Sequence, residues 1–243
     1  MKKQHKINQI IQNPMALKVL VFISMFYMCI MLCNIILTNK YIGTDSFFIL
    51  GGTLTAPFIF ILDDIVAEVY GYKITRCLII SGFISQTIFA FVCQLVLLAP
   101  YPTFFTQQAF YSTILGTSLL RFDFSGFFAY IIANLMNAYI LTRWKLLLKG
   151  RKFWLRSIGS SAFSEAIYSF VAIFLMELNT IPLDNLLKVV LISYSIKVIY
   201  STIFAVPAQL AVNYIKNITH LDVYELPKKF TPFQSLKFNM RKS

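Results

Sequence analysis

The chain has 243 residues, 58% of them hydrophobic and 13% charged, with a formal net charge of +12 and a mean hydropathy of +0.69. A soluble domain carries about 25% charged residues, so this composition excludes an ordinary globule and indicates an all-α integral membrane protein. The basic excess could in principle serve a nucleic acid, but the cations cluster between apolar runs, which answers to a lipid bilayer and to no nucleic acid.

A spanning helix needs about 20 mostly apolar residues, and six such runs are predicted: about 18–38, 47–67, 76–98, 122–142, 157–177 and 187–214. Together they use most of the chain and make 1–243 a single membrane domain. Residues 1–15 form a basic arm. The first run lacks a small-residue cleavage site, so it is expected to remain as an anchor and not to act as a cleaved signal. A short turn at Lys40–Asp45 leads to the second run, which opens at Gly51 and Gly52 and has Pro57 near its middle, where proline favours a kink or a packing site. Residues 99–120 contain Pro100, Pro102 and TFFTQQAFYSTILGTSLL. That stretch is too polar to span and too apolar for a free loop, so an interfacial or re-entrant helix capping the outer face is expected. Residues 217–243 form a basic tail.

The placement of charge orients the runs. Lys2, Lys3, Lys6, Lys18, Lys73, Arg76, Arg143, Lys145, Lys149, Arg151, Lys152, Arg156, Lys216, Lys228, Lys229, Lys237, Arg241 and Lys242 fall on one side of a six-span topology; Lys40, Arg121 and Lys188 fall on the other. Eighteen against three is a positive-inside bias, so both termini are expected in the cytoplasm and the protein in the inner membrane. Cys29, Cys33, Cys77 and Cys93 lie within or at the edges of spans, with no CxxC or Cys/His cluster, and read as apolar packing residues.

The second run ends PFIFILDDIVAEVYG, passing from apolar residues into Asp63, Asp64 and Glu68 with no cation beside them. Acids at the end of a lipid-length segment are costly and mark function by default. Asp64 and Glu68 share a helix face, and depth counting puts the trio near the cytoplasmic mouth, in a gate or a helix-end network with Arg76. Deeper in, Glu165 lies about eight residues into the fifth run and Lys197 about ten into the sixth from the opposite side, or about 12 and 15 Å. Both approach the midplane of a core about 30 Å thick. An ion pair between them, or a shared polar cavity, would offset their cost. Gln86, Asn134 and Asn137 reach a similar layer, the two asparagines on one face. Singly such amides glue helices together; with Glu165 and Lys197 they form a candidate pocket for a hydrogen-bonding solute. Arg121 and Asp123 read as interface anchors or an outer gate, Arg156 and Arg76 as inner anchors. Gly159–Ser169 is rich in small residues, which allows a close helix approach carrying Glu165 inward. No Gly-rich phosphate loop or Walker sequence is present, and the two histidines, His5 and His220, lie outside the spans. No catalytic residue and no cofactor are therefore assigned. The acidic trio leaves open a metal-dependent, lipid-modifying enzyme, although the second acidic cluster such enzymes need is missing.

The segment APFIFILDDIVAEVYGYKITR, Ala56 to Arg76, is similar to the signature of the VUT family of queuosine-precursor transporters. Asp64, Glu68 and Gly71 match that pattern; Asp63 is not asked for. Asn34, Lys40, Arg121, Ser160–Glu165, Lys197 and Pro207 agree in order and spacing, and Asn134 takes the place of a glutamine. Asn137 and Tyr168 stand where the family commonly has aspartate. The resemblance implies a six-helix carrier importing a 7-deazaguanine, such as 7-cyano-7-deazaguanine or its aminomethyl analogue, for queuosine in tRNA. On that reading Glu165 accepts the base's N–H donors, Lys197 and the amides meet its acceptors, and Tyr168 stacks on the ring. Another planar nucleobase- or vitamin-like solute, an energising partner, a homo-oligomer and a non-transporting membrane subunit all stay open.

Overall fold

The computed structural model describes residues 13–44, 47–178 and 180–223. Most of the expected N-terminal arm and C-terminal tail, with Asp45 of the predicted turn, lie outside the described residues. Five helices are long and apolar enough to cross a membrane. The first, α1 (Pro14–Leu37), starts four residues before the predicted run because Asn13 caps it, accepting from the Ala16 N–H, and Pro14 takes the first turn, where its missing N–H costs nothing.

The second predicted span is the one the structure corrects. Residues 41–50 form a hairpin, β1 (Tyr41–Thr44) paired antiparallel with β2 (Phe47–Leu50), Tyr41 opposite Leu50. A 3-10 turn follows at Gly51–Leu54, and α2 runs only from Ala56 to Val69. Fourteen residues rise about 21 Å, less than a hydrocarbon core. Pro57 occupies the start of α2, not its middle, so it seats the first turn and makes no mid-span kink. Eleven of the fourteen residues are buried. The apolar character of 57–66 thus reflects enclosure by other helices, not exposure to lipid. Hydrophobic length alone cannot tell those two apart.

The remaining helices are α3 (Tyr72–Leu98), α4 (Gln108–Leu115), α5 (Thr117–Leu147), α6 (Phe153–Glu177) and α7 (Leu183–Thr219), each spanning helix longer than its apolar run. The short α4 has no buried residue and stands where a capping segment is expected. The cysteines correct a smaller reading: Cys29, Cys33 and Cys77 are free and exposed on the outside of the bundle instead of packing within it.

Two glycines decide the path around α2. Gly71 has a φ of 88°, a left-handed value that lets α2 turn directly into α3 at little cost. Gly52 carries the backbone against α1: the Asn34 amide donates to the Gly52 carbonyl at 2.7 Å and to Thr55 Oγ1 at 2.7 Å. Eighteen residues earlier in α1, the Ala16 carbonyl accepts from the Tyr70 hydroxyl at 2.9 Å. α2 and its 3-10 turn are therefore clamped alongside α1 at both ends. At the Tyr70 end the chain closes on itself, since the Asn13 amide donates to the Thr219 carbonyl at 2.7 Å.

A Cβ on Gly52 would sit 2.1 Å from Thr38 Oγ1 and 3.2 Å from the Asn34 amide nitrogen. Gly52→Ala is expected to lower stability by about 1–3 kcal/mol, read as a fall in the thermal unfolding midpoint of the detergent-solubilised protein. Adding Thr38→Ala removes the nearer atom and should recover part of that loss.

Candidate functional site

α2 sits between α1, α3, α5, α6 and α7, and its three acids project into the bundle interior, each fully or almost fully buried. Each meets a different set of partners. Asp63 Oδ2 accepts from the Asn134 amide at 2.5 Å and from the Tyr130 hydroxyl at 3.0 Å, and Tyr130 in turn meets the Tyr27 hydroxyl at 2.5 Å. Asp64 accepts from the Asn137 amide at 2.5 Å, from Ser157 and from Ser161 at 3.4 Å. Glu68, one turn on, is held by three cations: Arg156 at 2.9 Å, Lys216 at 2.7 Å and Lys145 at 3.5 Å.

This arrangement revises the expected division of labour. Asn134 and Asn137 stand three apart on α5 and face the consecutive acids of α2, so they belong to an acid–amide layer and not to the wall of a pocket. Arg76 is not among the cations within 4.0 Å of Glu68; its guanidinium lies 5.5 Å from the centre of the Tyr72 ring. Arg156, read from sequence as an inner-end anchor, is completely buried. Lys145 and Lys216 complete the cluster and also hold Asp222 at 2.5 and 3.0 Å, while the Val223 N–H returns to the Val69 carbonyl at 3.2 Å. The segment Asp222–Val223, just after α7, is thereby pinned to the end of α2. Burial alone would raise the Asp222 pKa, but the two ammonium groups outweigh it and hold the carboxyl below the usual aspartate range.

Glu165 and Lys197 reach the interior as expected, but they form no ion pair within 4.0 Å. Lys197 Nζ donates to Ser169 Oγ at 2.9 Å and lies 4.6 Å from the centre of the Tyr168 ring. Ser201 donates to Glu165 Oε1 at 2.6 Å, and Glu165 Oε2 has no hydrogen-bond partner among the described residues. Glu165 and Ser169 are four apart on α6, as are Lys197 and Ser201 on α7, so the two charges stand on the diagonal of a pair of rungs. Spacing of this kind was the legible signal that the sequence reading passed over.

Two adjoining clefts, with empty space of about 340 and 280 Å³, open beside these charges. Asn34, Thr38 and Tyr168 line both; Gln86 and Tyr130 line the larger and Lys197 the smaller. Of the expected pocket residues, Gln86, Tyr168 and Lys197 reach the walls; Glu165, Asn134 and Asn137 line neither cleft. In this conformation the clefts admit water-sized occupants, so a planar solute requires the walls to part. Toward the hairpin end, Gln86 donates to Asp123 at 2.9 Å, Tyr41 donates to Glu177 at 2.7 Å, and Arg121 donates to the Leu178 carbonyl at 2.5 Å and to Thr180 at 3.0 Å. Arg121 thus ties the start of α5 to the end of α6. The three acids of α2 do not converge, and among the described residues no group of three His, Cys, Asp or Glu side chains is placed to hold a metal ion.

Buried charges with separate partners, beside clefts in a bundle of helices long and apolar enough to span, define a polytopic membrane protein with a polar interior. A family model described as "Putative vitamin uptake transporter" matches residues 50–212, and the chain belongs to that family. It is 21% identical over 193 residues to the queuosine precursor transporter of Escherichia coli (strain K12), an alignment covering 78% of this chain and 84% of that protein. It is 29% identical over 146 residues to the "Probable queuosine precursor transporter" of Bacillus subtilis (strain 168), covering 60% and 63% respectively. No solved structure matches it.

Removing Glu68 leaves Arg156 buried without its carboxylate. Glu68→Ala is expected to cost about 3–5 kcal/mol, measured by thermal unfolding in detergent, and the double variant Glu68→Ala/Arg156→Leu should be more stable than the single one. The contribution of Asp222 follows the sign of a depressed carboxylate. It is fully present above the unfolded-state pKa and is lost as pH falls through the lower folded-state value. The difference in unfolding midpoint between wild type and Asp222→Asn is expected at neutral pH and should vanish in strong acid.

Proposed function

We propose that this protein imports a queuosine precursor, a 7-deazaguanine base, across the inner membrane by alternating access around the clefts beside Tyr168 and Lys197. The observation that carries the reading is the pairing of an aromatic face with a cation at the wall of an intramembrane cleft, in a chain whose relatives are named for this solute. A planar purine-like base offers a face for Tyr168 and acceptors for the lysine, whose ammonium has three donors and gives one to Ser169. The unpartnered Glu165 Oε2 is the acceptor available to the base's N–H groups once the walls part. Asn34, Gln86 and Tyr130 supply further polar edges.

The proposed topology has six crossings with both termini in the cytoplasm. The clamps at Asn34–Gly52 and Tyr70–Ala16 support a crossing by the 3-10 turn and α2 together, and the Asn13–Thr219 contact supports the start of α1 and the end of α7 lying on one side. The eighteen cations counted on that side favour its being cytoplasmic. The family's naming as transporters, and the dispersal of the α2 acids to separate partners, weigh against a metal-dependent lipid enzyme.

Cells unable to make queuosine, supplied with 7-cyano-7-deazaguanine, test the proposal: expression of this chain should restore queuosine in tRNA. Lys197→Ala and Glu165→Gln each remove one charge-assisted contact, worth about 1.5–3 kcal/mol. Uptake by either variant, at matched membrane abundance, is expected to fall about tenfold to a hundredfold. Unchanged uptake by both would remove the clefts as the binding site; restoration by a different planar solute alone would reassign the substrate.

A further inference from the structure

The Asp63–Asn134 contact is incomplete in a particular way. Asp63 receives both of its donors on Oδ2, while Oδ1 has no partner among the described residues, and neither has Asn134 Oδ1. The covalent geometry of a carboxyl and an amide already joined through Asp63 Oδ2 and Asn134 Nδ2 keeps those two oxygens on neighbouring groups. Both are acceptors, both are buried, and a buried acceptor without a donor has lost its hydration with nothing in return. A hydrogen on Asp63 Oδ1 would turn one of the two unpartnered acceptors into a donor for the neighbouring amide oxygen. Asp64 differs, because both of its oxygens already accept, Oδ1 from Asn137 and Oδ2 from Ser157 and Ser161.

The surroundings call for the same addition. The groups facing this region are Tyr27 from α1, Asp64 from α2 itself, Tyr130 and Asn134 from α5, Glu165 and Tyr168 from α6, and Lys197 from α7. On α3 the cations Lys73 and Arg76 belong to the first turns, beside Tyr72, beyond Glu68 in the chain. Three carboxyl groups thus share one ammonium, and Lys197 is engaged with Ser169 and Tyr168. The nearest strong cations, Arg156, Lys145 and Lys216, are committed to Glu68 and Asp222. An unpaired carboxylate in the bilayer interior is costly, and ionisable groups there mark proton relays.

We propose that Asp63, paired with Asn134, carries the proton that couples solute import to the proton gradient: Asp63 is a neutral acid in the closed state and releases its proton when the bundle opens. This rests on the transport reading above and adds its driving ion. A sodium ion would need several convergent oxygens, and Asp63 Oδ2 is already occupied by two donors, which favours the proton. Tyr130, which lines the larger cleft and donates to Asp63 Oδ2 at 3.0 Å, offers the acid a path to that cleft.

The test separates coupling from transport. In proteoliposomes, solute counterflow needs binding and exchange but no net gradient, whereas accumulation under an imposed pH difference needs the coupling proton. One pH unit supports about tenfold accumulation for one proton per solute. Asp63→Asn, which mimics the neutral acid, is expected to retain counterflow and to lose gradient-driven accumulation, its ratio falling from about tenfold to one. Full gradient-driven accumulation by Asp63→Asn, or wild-type accumulation driven by a sodium gradient alone, would overturn the proposal. Absence of counterflow in the wild type would instead defeat the substrate reading. The proton is then judged without solute, from the infrared carbonyl stretch of a protonated carboxylic acid at neutral pH. That band should be present in the wild type, be lost in Asp63→Asn, and shift in Asn134→Ala, where the acid loses its acceptor. A wild-type spectrum without the band, or one unaffected by both variants, would sink the assignment.

Discussion

A carboxylate that enters a lipid-spanning bundle has to be given donors by its neighbours, because no water is there to supply them. Much of this structure follows from α2 bringing in three. Asp63, Asp64 and Glu68 cannot face lipid, so α2 is enclosed by other helices, and the partners of its acids come from three of them. Asn134 and Asn137 fix the register of α5 against it, Ser157, Ser161 and Arg156 that of α6, and Lys216 that of α7. A slip of one residue in any of them would leave a buried charge without partners, at a cost of several kcal/mol. The acids therefore specify the packing even where they add little net stability.

The same ladder separates the clefts from the basic end of the bundle. Below Tyr130 and Tyr168 come the Asp63 and Asp64 layers and then the Glu68 cluster, with Asp222 and Val223 folded over it. On the hairpin side the closure is lighter: Arg121 to Leu178 and Thr180, Tyr41 to Glu177, and the amide of Asn34 to the 3-10 turn. A carrier has to open one side at a time. The contacts at the two ends differ in kind, an ion-pair cluster at one and neutral or charge-assisted hydrogen bonds at the other, as the proposed alternating access would require of two separate closures.

What the sequence disclosed and what it hid divide along physical lines. Residue chemistry in lipid was legible: the five long helices follow from apolar length, the inward face of Ser160–Glu165 from its small residues, and the burial of Lys197 from the cost of a charge facing lipid. Enclosure was not legible, because a helix buried in protein and one facing lipid are equally apolar. The run 47–67 hence reads as a full span, although Pro57, a natural first-turn residue, and Gly51–Gly52 argue for a later start. Pairing was the other blind spot. Arg156, Lys145 and Lys216 look like inner-face anchors because positive-inside placement explains them sufficiently; that Glu68 gathers all three depends on α5, α6 and α7 ending together. The α2 acids and the α5 amides were placed in different layers by depth counting along a straight, full-length helix, and the shortness of α2 is what brings them level.

The separation of Glu165 from Lys197 carries the remaining weight. A direct bridge between them would satisfy both charges, yet each is supported by a neutral hydroxyl across the α6–α7 contact, Ser201 for the acid and Ser169 for the amine. A hydroxyl holds a charged group in position without cancelling its charge. The pair therefore keeps its electrostatic demand, an unsatisfied acceptor on one side and a cation on the other, within a low-dielectric interior where such demand is strongest. On the proposed import reading, a solute presenting a donor edge and an acceptor edge would meet that demand at once, displacing no ion pair to do so. Were the two charges bridged, binding would first have to break that bridge; set on the diagonal, each keeps its charge within the bundle and away from lipid.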